Sequence, residues 1–235
     1  MSLWTRITEA LAALAKGEGL GVVFDKLRST PERSVAFTIA VIALSAKMAK
    51  ADGLVTRDEV TAFRQVFHIA PEDERAAARV FNLAREDVAG FEEYAGRIAR
   101  MFRSDNSPCG VDSALCDLME GLFHIATADG AYHPAEDLFL TRVAEIFGLP
   151  DAQFRQLRAR YVPDAAPDPY TVLGVSPDTP LPDIRAAWRA EVRRTHPDTM
   201  IARGVPPEAV KLAERRLIAV NRAWEDIAAR SPEKV

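Results

Sequence analysis

The residues of this 235-residue chain best placed to do chemistry lie near its end. His196, Pro197 and Asp198 directly follow a segment in which Arg185, Arg189 and Arg193 recur every four residues, with Arg194 beside the last. On a helix that spacing stacks the guanidinium groups on one stripe. Proline fixes its own φ and pushes the preceding residue out of helical geometry, so the helix is expected to stop here and present His196 and Asp198 in an exposed turn. An arginine stripe offers steering and rim ion pairs to an acidic partner. Asp198 in a rigid turn is a charged hydrogen-bonding anchor. The chemistry suggested is recognition rather than bond making. The stripe by itself would be read as an ordinary solvated helix face.

A second set of polar residues recurs in the first half. Ala51-Asp52-Gly53 leads to Glu59, and Ala128-Asp129-Gly130 leads to Glu136 in the same register. Carboxylates from two related hairpins could converge on one hard cation, which makes Asp52, Glu59, Asp129 and Glu136 a candidate metal set. Helix punctuation explains the same residues without a ligand. Thr56 with Glu59 forms a capping box, Pro134 takes a first helical position with Glu136 in the first turn, and Gly53 and Gly130 end the preceding helices. The oxygen ladder of a calcium loop is absent, and capping is the preferred reading. His68 and His124 each sit in the apolar string Phe-His-Ile-Ala and read as core histidines, while His133 reads as a turn residue. A Ser-His-Asp order, an HExxH helix and a glycine-rich phosphate loop before a strand are all missing, so the chain is not read as an enzyme and no cofactor is expected.

The elements that must position these residues are helices. Apolar residues after position 32 follow helical rather than alternating spacing, and the fold class predicted is all-α. Helices are expected over 32–50, 56–68, 72–85, 88–103, 111–127, 134–147 and 151–160. Phe63, Val66 and Ile69 align with Leu140, Val143 and Ile146 across the two Ala-Asp-Gly copies, which predicts a duplicated helical hairpin. The longest apolar run, Val35 to Ala46, is cut by Lys47, short of the about 20 residues a spanning helix needs, and reads as a buried core helix. The stretch 162–169 holds three prolines in eight residues and is the predicted linker. It separates a helical domain over 32–161 from a small unit over 170–230, and residues 1–31 form an N-terminal amphipathic segment. In the small unit a short helix closed by Gly174 precedes the arginine-striped helix. After a loop, Pro206 and Pro207 open a last helix in which Ala213, Leu217, Val220, Trp224 and Ile227 make an apolar seam. Trp188 and Trp224 are expected to supply the bulk of this small core.

Composition narrows the classes further. The formal net charge is -4, so no global positive field exists for nucleic acid, and no nucleic-acid partner is expected. Cys109 and Cys116 lie outside metal or redox-pair spacing, which fits a reducing compartment. Charges interrupt the apolar residues of the first 21 positions, so that segment is expected to lie on the protein's own domain or a dimer partner rather than on lipid.

The last segment resembles a J-domain of the DnaJ co-chaperone kind. The residues that carry the likeness are Tyr170 with Leu173-Gly174-Val175, the helix ending in His196-Pro197-Asp198, and Asn221, Ala223, Trp224 and Ile227 of the last helix. The run Arg203-Gly204-Val205-Pro206-Pro207-Glu208 is similar to the DjlA subgroup, and residues 34 to about 160 are similar to its TerB-like helical domain. The resemblance implies a non-enzymatic co-chaperone that docks on a DnaK-type chaperone through His196, Pro197, Asp198, Arg185, Arg189, Arg193 and Arg194. Docking stimulates the partner's ATP hydrolysis, and the helical domain supplies targeting or binding of a client of unknown identity. Trp188 and Trp224 stand where the family usually has tyrosines. The glycine/phenylalanine-rich linker and cysteine-rich module of longer DnaJ proteins are absent. Proteins of the DjlA subgroup share an N-terminal transmembrane helix, which the charges here interrupt. A cytoplasmic protein, or one peripheral at the inner membrane and compatible with a homodimer, is therefore expected. The alternative reading is a metal-responsive or envelope-stress scaffold with the helical domain as its main binding module.

Overall fold

The computed structural model describes residues 3–12, 23, 33–52, 67, 69, 73–86, 90–102, 114–128, 130–162 and 168–230, which are all helix, turn or connection with no strand among them. The bundle comprises α1 (Leu3–Ala12), α2 (Arg33–Asp52), α3 (Glu74–Glu86), α4 (Phe91–Phe102), α5 (Ala114–Ala126), α6 (Pro134–Phe147) and α7 (Asp151–Tyr161). The C-terminal segment comprises α8 (Pro169–Leu173), α9 (Leu181–Arg194), α10 (Pro197–Ala202), a single 3-10 turn (Pro207–Ala209) and α11 (Val210–Arg230).

Two helices form the centre. Residues 35–49 of α2 are buried throughout, as its nearly continuous apolar sequence demands, and Thr38 and Ser45 bond back to the carbonyls of Ser34 and Val41 rather than remain unpaired. Lys47, which interrupts that run, lies 4.9 Å above the Tyr94 ring, so its charge is met by an aromatic face. Every residue of α5 is buried, including Asp117, Glu120 and His124. Phe123 gathers Phe154, Tyr132 and Tyr161 at ring separations of 5.5, 6.2 and 6.3 Å. The helix α1 buries Leu3, Trp4, Ile7 and Leu11 against α2 and α3, so the amphipathic face predicted at the N-terminus is covered by the protein's own core. Among the described residues no helix is long and apolar enough to cross a membrane.

The start of α6 follows the capping reading. Pro134 occupies its first turn, His133 precedes it in extended geometry, and the Glu136 carboxylate accepts from the His133 backbone N–H at 2.8 Å. His124 is a core histidine as expected, whereas His68 and the first copy of the predicted hairpin, from Gly53 to Val66, lie outside the described residues.

The C-terminal segment differs from expectation in two places. The residues after Asp198 form a further helix, α10, rather than a loop. Pro197 starts it in the one position where proline costs no hydrogen bond, and His196 acts as its N-cap, the ring Nδ1 accepting from Asp198 N–H at 3.3 Å. The tryptophans do not form the bulk of the small core. Val172, Leu173, Ile184, Val220, Ala223 and Ile227 fill it, while Trp188 and Trp224 stack at 5.3 Å on its rim, half-buried. An indole N–H needs a polar partner, and the Trp188 Nε1 finds one at the edge by donating to Asn221 Oδ1 at 2.9 Å.

The C-terminal segment also enters the bundle's core. Met200, Val205, Ala209, Leu212 and Ala213 are buried within the same cluster as α2 and α5. Gln156 and Arg160 of α7 both donate to the Val172 carbonyl. Gly204, at φ 101°, lies so close to the start of α2 that a Cβ there would meet the Arg33 Cβ at 2.9 Å, a contact only glycine permits. Of the predicted linker at 162–169, residues 163–167 lie outside the described residues.

Candidate partner-docking surface

The surface that the sequence singles out is built on α9 and the turn that ends it. Pro180 precedes α9 in extended geometry, Pro182 lies in its first turn and Asp183 complements the helix dipole there. Ile184 faces inward, which sends Arg185, Arg189 and Arg193 to solvent on the opposite side. These three arginines make no ion pair with a described residue. Arg194 is placed differently: its side chain is only 20 % exposed and pairs with Glu191, one turn back. Glu191 itself points into the protein, so the one acid in the middle of α9 does not neutralise the exposed stripe.

The turn presents its polar groups openly. The His196 and Asp198 side chains are 62 % and 87 % exposed. Because Nδ1 of His196 accepts from the Asp198 amide, the neutral ring carries its proton on Nε2. The turn is held from below. Thr195 is buried and its hydroxyl donates to the Glu191 carbonyl at 2.7 Å, while Met200, one turn into α10, is anchored in the core. The surface thus combines three exposed cations, one exposed carboxylate and an imidazole donor on a fixed backbone, a set suited to an acidic protein surface.

Beneath it lies a buried ionic network absent from the sequence reading. Arg203 donates to both carboxylate oxygens of Asp117 at 2.8 and 3.1 Å. Arg216 faces Glu120 and Glu191 at 3.3 Å each and Asp117 at 3.6 Å. Arg160 reaches Glu191 at 3.0 Å and Glu120 at 3.4 Å. Asp117, Glu120 and Arg160 come from the bundle and Glu191, Arg203 and Arg216 from the C-terminal segment, so the network joins the two. Burial pushes the Glu120 carboxyl above the usual range, against the pull of Arg216 and Arg160. Burial likewise opposes the charge on Arg216, but Glu120 and Asp117 outweigh it and hold the guanidinium protonated. The available signal was Asp117 and Glu120 one turn apart in the otherwise apolar Ala114–Ala126 run, since such acids in a fully buried helix require cations.

The candidate metal set is not assembled among the described residues. Asp52 is the last residue of α2, Glu59 and Asp129 lie outside the described residues, and Glu136 is engaged in capping. No group of three or more potential metal-ligating side chains occurs among the described residues.

The pattern that defines the family described as "Tellurite resistance protein TerB" matches residues 38–159, just over half of the chain. The chain belongs to that family. The TerB match begins inside α2 and ends inside α7, so it takes in both central helices and the residues Asp117 and Glu120. Similarity to individual proteins runs further. "Co-chaperone protein DjlA" of Escherichia coli K12 is 26% identical, over 96% of this chain and 97% of its own length. Proteins of the same name from Vibrio parahaemolyticus and Photobacterium profundum are 27% and 25% identical, over 86% and 90% of this chain and 80% and 84% of their own lengths. Such coverage necessarily extends beyond the TerB match into the flanking residues. No solved structure matches the chain.

Proposed function

We propose that this TerB-family chain is a co-chaperone that docks on a DnaK-type chaperone and stimulates its ATP hydrolysis, with residues 170–230 acting as a J-domain. The observation that carries the reading is the exposed His196-Pro197-Asp198 turn at the end of a helix whose Arg185, Arg189 and Arg193 face solvent and make no ion pair among the described residues. The near full-length likeness to proteins named as co-chaperones supports it. In this account the arginines steer an acidic partner face onto the turn and form rim ion pairs, while Asp198 anchors the contact. Arg194 contributes less than its neighbours because Glu191 already holds it. The bond-making step belongs to the partner, and His196 serves as a hydrogen-bond donor rather than an acid or base. The bundle over 32–161 provides targeting or client binding.

The stripe is tested by charge reversal. Arg185→Glu, Arg189→Glu and Arg193→Glu combined leave the fold intact, because all three side chains are exposed. The combination is expected to raise the concentration needed for half-maximal stimulation of ATP turnover by about tenfold or more at low salt. The gap between wild type and variant narrows as salt screens the attraction. A variant that stimulates with wild-type half-saturation at low salt would remove the stripe from the docking surface.

A further inference from the structure

We infer that Arg203 is a positioning residue: one guanidinium clamps both flanks of the His196-Pro197-Asp198 turn to the bundle, so that Asp117 sets how the docking surface is presented. The inference rests on the docking role proposed above for that turn. It also gives a purpose to the run Arg203 to Pro207, which the docking surface itself does not use.

The geometry is specific. Arg203 follows α10 directly, so its backbone lies just after the turn. Its side chain folds back, and Nη1 and Nη2 donate to the Arg194 carbonyl at 3.4 and 3.3 Å, just before the turn. The same fork is bidentate on Asp117 of α5. One planar group therefore ties the last carbonyl of α9, the end of α10 and the central helix of the bundle, an arrangement that the single ammonium of lysine cannot reproduce. The Arg203 side chain is 11 % exposed and Asp117 1 %, so the contact is shielded from solvent and salt. Independent contacts hold the same segment. Met200 and Val205 sit in the bundle core on either side of Arg203, and Gly204 touches the start of α2 at a distance that admits no side chain. The exposed surface is thus mounted on a rigid base rather than carried on a tether. A preorganised turn binds with less ordering cost than a mobile one.

The test uses the full chain with Arg203→Met and Arg203→Lys. The backbone amides of Thr199, Met200 and Gly204 are bonded within the turn and α10, to His196 and Ile201 carbonyls, and report its opening by hydrogen exchange. In Arg203→Met their exchange is expected to accelerate about tenfold or more beyond any change in the amides of α5, which follow only the loss of the Asp117 partner. The concentration for half-maximal stimulation of the chaperone rises by about three- to tenfold while the maximal rate is retained. Arg203→Lys recovers only part of both effects. A role in general stability alone would instead accelerate the α5 amides equally and leave half-saturation in place, and either outcome overturns the inference. So does unchanged exchange at Thr199, Met200 and Gly204. If wild type fails to stimulate any chaperone, the docking reading falls, and the exchange comparison still decides whether the clamp exists.

Discussion

Replacing Arg216 by methionine is expected to lower the unfolding free energy by about 3–5 kcal/mol, the cost of breaking a buried ion pair by removing one partner. For a chain of this size that is a fall in Tm of about 10 °C. Arg216 faces three carboxylates, Asp117, Glu120 and Glu191, and its side chain is 2 % exposed, so water cannot substitute for it. Methionine fills most of the volume, which makes the loss electrostatic rather than a cavity effect. The Glu120 pKa, already above its usual 4.5, rises further without its nearest cation. The folded variant then holds a proton that the unfolded chain releases, and its stability falls as pH rises above about 4.5. Arg222→Ala, on the exposed side of the same helix, is the control and shifts stability by no more than about 0.5 kcal/mol. A Tm for Arg216→Met within about 2 °C of wild type would mean that the network does not join segment and bundle as described.

His124 gives the second large effect, in acid. Burial, followed by the nearby charges of Arg215 and Lys211, lowers its pKa from 6.5 to about 4. Neither ring nitrogen has a hydrogen-bond partner among the described residues, so none of them compensates a charge placed there. Between pH 6.5 and about 4 the unfolded chain binds a proton that the folded chain refuses. The stability associated with neutral His124 is therefore complete above pH 6.5 and is lost as pH falls toward 4, by about 3 kcal/mol in all. His124→Leu removes that titration. Urea unfolding of the two proteins at pH 7 and pH 4.5 should show wild type losing about 2–3 kcal/mol more than the variant on acidification. Parallel losses would show that the ring is charged in the folded state or reaches water.

Much of the fold was legible in the sequence because local signals and burial agree. The predicted helix 134–147 coincides with α6, where Pro134 fixes the start and Gly148, at φ 72°, ends it. The run from Val35 lies wholly inside the core because no face of it is polar. The arginine stripe was legible for the same reason, since a four-residue repeat beside an inward Ile184 leaves only one orientation. What was not legible depends on contacts distant in sequence. The helix α10 forms because Met200 and Val205 find a place in the bundle core, which no local pattern announces. Arg194 and Arg193 are adjacent identical residues, yet Glu191 draws only one of them away from solvent. Arg203 and Asp117 are 86 positions apart, and their pairing follows from how the last segment sits on α5.

On the function proposed above, the His196-Pro197-Asp198 turn makes this chain a stimulator of a DnaK-type ATPase. The most direct measurement is steady-state ATP turnover by the chaperone from the same organism, with wild type, His196→Gln and Asp198→Asn added in parallel. Both substituted side chains are largely exposed, so helicity should match wild type and Tm should fall by no more than about 4 °C, from loss of the His196 cap on α10, while stimulation falls to the level of the chaperone alone. Stimulation that survives in both folded variants, or a well-folded wild type that leaves turnover unchanged, would contradict the account.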